Sequence, residues 1–219
     1  MAQPIQGVLF DNDGTLVDTY DLLLESFRYA TRTVLGRDVP EADLMRGVGK
    51  PLATQMFDFT DDPAVAEELL STYRAYNHEI HDQKISVFAG VPEMLAELKA
   101  AGLALGVVTS KLHWLCERGL EVCGVLEYFD FIIGPDDWPE HKPAPGPILR
   151  GCELMGLAPA ACAYVGDSPY DMQAANAAGV LSVAAVWGMF DRAVLDAENP
   201  QVICLSPADL PAVFAVADR

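Results

Sequence analysis

The chain has 219 residues, half of them apolar, which suits one large domain or a domain with an insertion. It carries 32 acidic against 14 basic side chains, a net charge of −18, so its surface repels phosphate backbones; nucleic-acid binding is not expected, and any phosphate site has to be made locally positive by a metal and a few placed lysines. No apolar run approaches membrane-spanning length, no signal-peptide pattern opens the chain, and Cys116, Cys123, Cys152, Cys162 and Cys204 form no C-x-x-C, so the expectation is a cytoplasmic protein, not attached to a membrane, with reduced and mostly buried thiols.

Ile5 to Phe10 is an apolar, β-prone run that stops abruptly at Asp11, Asn12, Asp13, Gly14 and Thr15. Two carboxylates at i and i+2, followed by a turn-forming Asp-Gly, are thereby held at the mouth of a buried strand. No strand pattern follows from about Thr19 to Ile85. Leu23, Phe27, Ala30 and Val34 repeat at helical spacing, as do Val65, Leu69, Tyr73, Tyr76 and Ile80, with shorter helical pieces around Glu41 to Arg46 and Leu52 to Phe57. Connections in compact domains are short. Residues 19–85 are therefore predicted to be a helical subdomain inserted into a core made of residues 1–18 and 86–219. Within it, Gly47-Val48-Gly49-Lys50 either reaches over the site or ends a helix.

After the insertion, Val91, Met94, Leu95 and Leu98 mark a helix closed by Gly102. Leu105 to Val108 reads as a strand and is followed by Thr109, Ser110 and Lys111, the last facing solvent or the crevice rim. Phe131 to Ile133 is the next strand, and Lys142 begins a proline-rich local loop that runs to Pro147. Ala163 to Val165 leads into Gly166, Asp167, Ser168 and Asp171. Met172, Ala175 and Ala178 form a helical stripe ended by Gly179, and Val180 to Val186 and Val202 to Leu205 are the remaining strands. These runs are continuous rather than alternating, as in strands covered on both faces, and they alternate with helices. The fold class is α/β, a doubly wound parallel sheet with a Rossmann-like core. His78, His81, His113 and His141 show no ligand spacing and read as surface or helix residues. Trp114 and Trp138 read as packing residues, and Trp187 as lining the crevice or the core.

Ligands of open α/β sheets sit outside the carboxyl ends of the strands. If the topology holds, Asp11, Asp13, Thr109, Lys142, Asp167 and Asp171 converge there. That many carboxylates cannot share a pocket unpaired; Mg²⁺ and one lysine would offset most of the charge. Asp11 and Asp167 suit Mg²⁺ ligation. A carboxylate can also attack phosphorus, a neighbouring acid two residues on can serve the leaving oxygen and the water, Thr109 can hydrogen-bond a phosphoryl oxygen, and Lys142 can stabilise its charge.

These residues, in this order, resemble the haloacid dehalogenase-like superfamily of phosphohydrolases. Its first motif, D-x-D-G-T-[LIV]-x-[DE], is matched from Asp11 to Asp18. Its second is matched at Thr109, its lysine motif at Lys142 in a K-P-x-P context, and its fourth, G-D-x-x-x-D, at Gly166, Asp167 and Asp171. The cap placement, Ala178-Gly179 and Trp187-Gly188 are similar to the phosphoglycolate-phosphatase-like branch. The resemblance implies a Mg²⁺-dependent phosphatase acting on a small phosphorylated metabolite through an aspartyl-phosphate. In it Asp11 is the nucleophile, and Asp13 is the general acid and base, its backbone carbonyl serving the metal. Asp167 is the third metal ligand, and Asp171 orients Lys142 or a metal-bound water. Thr15, Ser110, Lys50 and Ser168 are expected to support the site or the substrate. Asn12 replaces the usual apolar residue, and Ser110 stands where this branch often has asparagine. Asp13 argues against a dehalogenase. The alternatives are a sugar phosphomutase of the same superfamily, disfavoured because Val108 to Lys111 is not serine-rich, and a phospho-receiver module, disfavoured because the acid pair follows the first strand.

Overall fold

The computed structural model describes residues 4–214. In chain order the elements are β1 (Gly7–Phe10), β2 (Val17–Asp18), α1 (Tyr20–Leu35), α2 (Glu41–Met45), α3 (Leu52–Gln55), α4 (Pro63–Ile80), β3 (Ser86–Val87), α5 (Val91–Ala100), β4 (Ala104–Val108), α6 (His113–Val122), β5 (Phe131–Ile133), α7 (Gly146–Met155), β6 (Cys162–Gly166), α8 (Pro169–Ala178), β7 (Leu181–Ala185), α9 (Arg192–Asp196), β8 (Val202–Cys204) and α10 (Leu210–Val213).

Six strands form one parallel sheet in the order β5-β4-β1-β6-β7-β8. This is the doubly wound arrangement, with the chain reversing its direction of travel across the sheet beside β1. Every residue of β1 is buried, and its side chains alternate between two cores: Val8 and Phe10 face one, Leu9 the other. Strand β1 pairs with β4 on one side and β6 on the other, Gly7 standing opposite both Ala104 and Cys162. The carboxyl ends of three adjacent strands therefore lie together, and these are the ends that carry Asp11, Thr109 and Asp167.

The chain between β2 and β3 is helical and buries a core of its own, in which Phe27 and Tyr73 approach to 4.6 Å between ring centroids. Helix α4 starts at Pro63, with Asp62 accepting the Ala64 amide, as expected of an acidic N-cap and a first-turn proline. Where the chain enters and leaves this region, β2 and β3 pair antiparallel, Val17 opposite Val87 and Asp18 opposite Ser86. No sequence pattern announced this ladder, because two residues are too few for a period.

Three readings need correction. Pro145 to Pro147 is not wholly loop: Gly146 and Pro147 open α7, where a proline's fixed φ and missing N–H suit the first turn. His81 is a helix residue but not a surface one: it opens a 3-10 helix after α4 and is fully buried, its Nδ1 2.9 Å from Asp82. Trp114 is 44 % exposed, edge-on to the His78 ring, rather than packed in a core. The thiols are as expected: Cys116, Cys152, Cys162 and Cys204 are buried, Cys123 is half-buried, and all five are free.

Candidate active site

The loop after β1 is held by its own backbone. The Asn12 carbonyl accepts the amides of Thr15, Leu16 and Val17, and Gly14 N–H donates to Val17. The Asp11 amide extends the β1–β6 ladder onto Val165, fixing the carboxylate at the strand end. Gly14 has φ +84°, and a Cβ there would overlap the Asp167 carboxylate; a Cβ at Gly188 would overlap Asp167 as well. Side-chain-free backbone on both sides lets Asp167 lie close to Asp11. Thr15 Oγ1 donates to Asp167 Oδ1 at 3.2 Å, and the Met189 amide to Oδ2 at 2.7 Å. Trp187 Nε1 donates to the Thr15 carbonyl, so it braces this loop.

Lys142 is buried, with Nζ 2.6 Å from Asp171 and 3.1 Å from Asp11. Tyr164 rises from the middle of β6. Its hydroxyl accepts from Lys142 and lies 3.1 Å from Asp171 and 2.8 Å from the Val108 carbonyl. Asp171 accepts three hydrogen bonds from these neighbours: one oxygen takes Lys142, the other the Ser168 amide and hydroxyl, in a capping box that starts α8. Ser168 thus serves the helix start and Asp171.

Asp13 is half-buried, paired with Lys111 at 2.8 Å and accepting from the Asn12 side-chain Nδ2 at 3.0 Å. Lys111 turns into the crevice, its side chain only 7 % exposed. Thr109 Oγ1 accepts the Lys111 amide, and its own proton is free to be donated elsewhere. Ser110 donates to the Gly49 carbonyl across from the helical region, 3.0 Å. Lys50 is clasped by both oxygens of Asp58.

Burial pushes Asp11 up to about 6; Lys142 pulls it back, and Asp171 and Asp13 push it further up. Burial also carries Asp167 well above the usual carboxylate range, reinforced by Asp171 and Asp11. For Lys142, burial favours the neutral amine, but Asp11 and Asp171 outweigh it and hold the group above the ordinary lysine range.

Asp11, Asp167 and Asp171 each place a carboxylate oxygen within 4.8 Å of the others. Asp11 Oδ1 is buried without a well-aligned hydrogen bond. Four carboxylates, those of Asp11, Asp13, Asp167 and Asp171, face two ammonium groups, Lys111 and Lys142, leaving two negative charges. An all-oxygen set with that deficit fits a hard divalent cation. Because Asp171 already accepts from Lys142 and twice from Ser168, Asp11 and Asp167 are the better candidates to hold it.

A cavity of about 330 Å³ opens over this cluster. Asp11, Asp13, Thr109, Ser110, Lys111, Asp167 and Ser168 line it from the sheet, and Gly49, Lys50, Tyr73 and Arg74 line it from the helical side. Thr15, Lys142 and Asp171 stand behind that lining. The sequence-predicted residues therefore meet around one cavity, Lys50 at its far wall. Tyr164 and Trp187 are the supports that sequence reasoning missed or left open. A lone hydroxyl-bearing aromatic inside an apolar strand was the one signal for Tyr164.

A Rossmann-like sheet that gathers carboxylates, a hydroxyl and a lysine at three adjacent strand ends is the build of a phosphate-ester hydrolase. The chain belongs to the haloacid dehalogenase-like hydrolase family, whose model matches residues 8–185. It is similar to PpaX of Clostridium perfringens, 37% identical over 94% of this chain and 95% of that one. Pyrophosphatase PpaX of Bacillus cereus is 33% identical over 98% and 99%. Among solved structures, a predicted phosphoglycolate phosphatase from Haemophilus somnus superposes with a TM-score of 0.88 at 26% identity, covering 95% of this chain and 97% of that one. A haloacid dehalogenase-like hydrolase from Streptococcus pneumoniae gives 0.86 at 27%, covering 96% and 98%. The protein is accordingly an enzyme, a phosphatase that hydrolyses phosphoesters. No helix among the described residues is long and apolar enough to cross a membrane.

Proposed function

We infer that the protein is a Mg²⁺-dependent phosphomonoesterase of small phosphorylated metabolites in the cytoplasm, working through an aspartyl-phosphate. The observation that carries this reading is the buried Asp11 carboxylate, ion-paired to Lys142, beside Asp167 and under a cavity that Thr109 and Asp13 also line. Residues 1–18 and 86–219 are its catalytic core and residues 19–85 its cap. The β2–β3 ladder at both crossings and the separate core around Phe27 and Tyr73 support that division.

Asp11 and Asp167, with the Asp13 backbone carbonyl, would hold Mg²⁺, whose contribution is to neutralise charge on the phosphoryl oxygens. Asp11 attacks phosphorus and the bond to the leaving oxygen breaks. Asp13, on the cavity side, gives that oxygen its proton. A water then attacks the aspartyl-phosphate, Asp13 takes the water's proton, and phosphate leaves with Asp11 regenerated. Thr109 donates its free proton to a phosphoryl oxygen, and Lys142 keeps Asp11 ionised and aimed. Asp171, Tyr164 and Ser168 fix Lys142, and Thr15 fixes Asp167.

The test is phosphate release from a panel of phosphorylated metabolites, pyrophosphate included because relatives bear that name. EDTA is expected to stop turnover and Mg²⁺ to restore it. Undiminished turnover by the metal-stripped protein would remove the cation from the reaction.

A further inference from the structure

Three lysine or arginine side chains line the cavity, Lys50, Arg74 and Lys111. Two are spoken for: Lys50 by Asp58 at 2.9 Å and Lys111 by Asp13 at 2.8 Å. Arg74 is different. It pairs with no carboxylate among the described residues, and its Nε is buried without a hydrogen-bond partner. Among the described residues Arg37 also lacks an ion pair, but it is exposed and lies outside the cavity. Arg28, Arg46, Arg118 and Arg150, elsewhere on the surface, all rest against carboxylates.

Helix geometry puts Arg74 where it is. Tyr73, Arg74, Asn77 and His78 share the cavity-facing side of α4. Asn77 spends its amide on Ser26 and Tyr73. His78, its pKa lowered by burial, lies edge-on to Trp114, and Arg74 is left as the permanently charged group on that wall without a partner among the described residues. A half-buried guanidinium without a partner costs folding free energy, and only an acceptor can relieve it, because the group has donors alone. Its planar fork and fixed charge match a carboxylate or a phosphate.

We propose that Arg74 is a specificity-determining residue that binds a second oxyanion, so that the natural substrate carries an acidic group on its leaving portion besides the phosphoryl group attacked. The proposal rests on the phosphatase reading above and names its substrate class: phosphorylated acids or diphosphates rather than neutral alcohol phosphates. The cavity that opens over Asp11 on the sheet side is lined by Arg74 on the helical side.

The test compares kcat/KM, with Mg²⁺ present, within two matched pairs. Phosphoglycolate and ethyl phosphate differ by a carboxylate in place of a methyl; pyrophosphate and methyl phosphate differ by a second phosphate. The acidic member of at least one pair is expected to be preferred about tenfold to a hundredfold, the range of a charge-assisted hydrogen bond. The pair that shows it tells carboxylate from phosphate. Arg74→Met is expected to erase the preference and Arg74→Lys to keep part of it. Arg74→Gln, which is shorter and uncharged but keeps a polar donor, serves if the methionine variant fails to fold. No preference in either pair, or a preference that survives loss of the guanidinium, overturns the proposal while leaving the phosphatase standing. No phosphate released from any of the four compounds overturns the proposal together with the reading beneath it.

Discussion

The two walls of the cavity treat their polar groups differently. On the sheet side, charged groups are knitted together: Lys142 lies between Asp11 and Asp171, Tyr164 joins that group, and Asp171 accepts from Ser168 as well. On the helical side, the lining includes apolar Leu23, Phe27, Val48 and Leu52, and Arg74 stands there unpaired. The first wall is organised before any ligand arrives, which is what electrostatic stabilisation of a transition state requires. The second leaves a group unsatisfied, and so waits for its partner to come with the substrate. Changes to the first wall should therefore strike kcat and stability, and changes to the second should strike discrimination between substrates.

The sharpest break is Asp11→Asn. It keeps shape but removes the nucleophile, so kcat is expected to fall by about four to six orders of magnitude with the far-UV circular dichroism unchanged. Appreciable phosphate release from that variant would reject Asp11. Next, Asp171→Ala strips Lys142 of its closer partner and α8 of its capping box; urea denaturation should register a loss of about 3–5 kcal/mol, as for other broken buried pairs. Tyr164→Phe removes one hydroxyl from the same group and should cost about 1–3 kcal/mol, with kcat falling more than KM changes. A value near zero would mean that Lys142 and Asp171 hold each other without help from β6.

The smallest effect concerns His81, beneath the helical region. Burial, and then Lys111, hold its pKa below the ordinary 6.5, against the opposing pull of Asp82 and Asp13. The unfolded chain takes up a proton near pH 6.5 that the folded chain refuses. The stability this group contributes is present above that pH and is lost as pH falls through the lower, folded value. His81→Leu should flatten the decline of the urea midpoint between pH 6.5 and 5; an unchanged slope would assign the decline to carboxylates.

The parts of this arrangement that were legible in the sequence are those that physics writes as local pattern. Buried parallel strands must be continuously apolar, so Ile5 to Phe10, Leu105 to Val108 and Ala163 to Val165 announced themselves, and the polar residues just after them named the site. Lys142 was readable only through its order in the chain, since nothing local separates it from a surface lysine. Lys111 stayed ambiguous because its partner, Asp13, is far away in the sequence. Arg74 stands off the stripe of Leu69, Tyr73 and Tyr76, and nothing local marks it; that it lacks a carboxylate is a fact about neighbours in space. His81 and Trp114 changed places, one inside and one outside, because neither falls on a periodic stripe long enough to fix its face.

The two-residue ladder of Val17–Asp18 with Ser86–Val87 has a mechanical meaning. Both polypeptide links to the helical region are laced into one rung, so its entry and exit strands cannot move independently. The hydrogen bond from Ser110 to the Gly49 carbonyl ties the helical region to the sheet a second time, at the cavity itself.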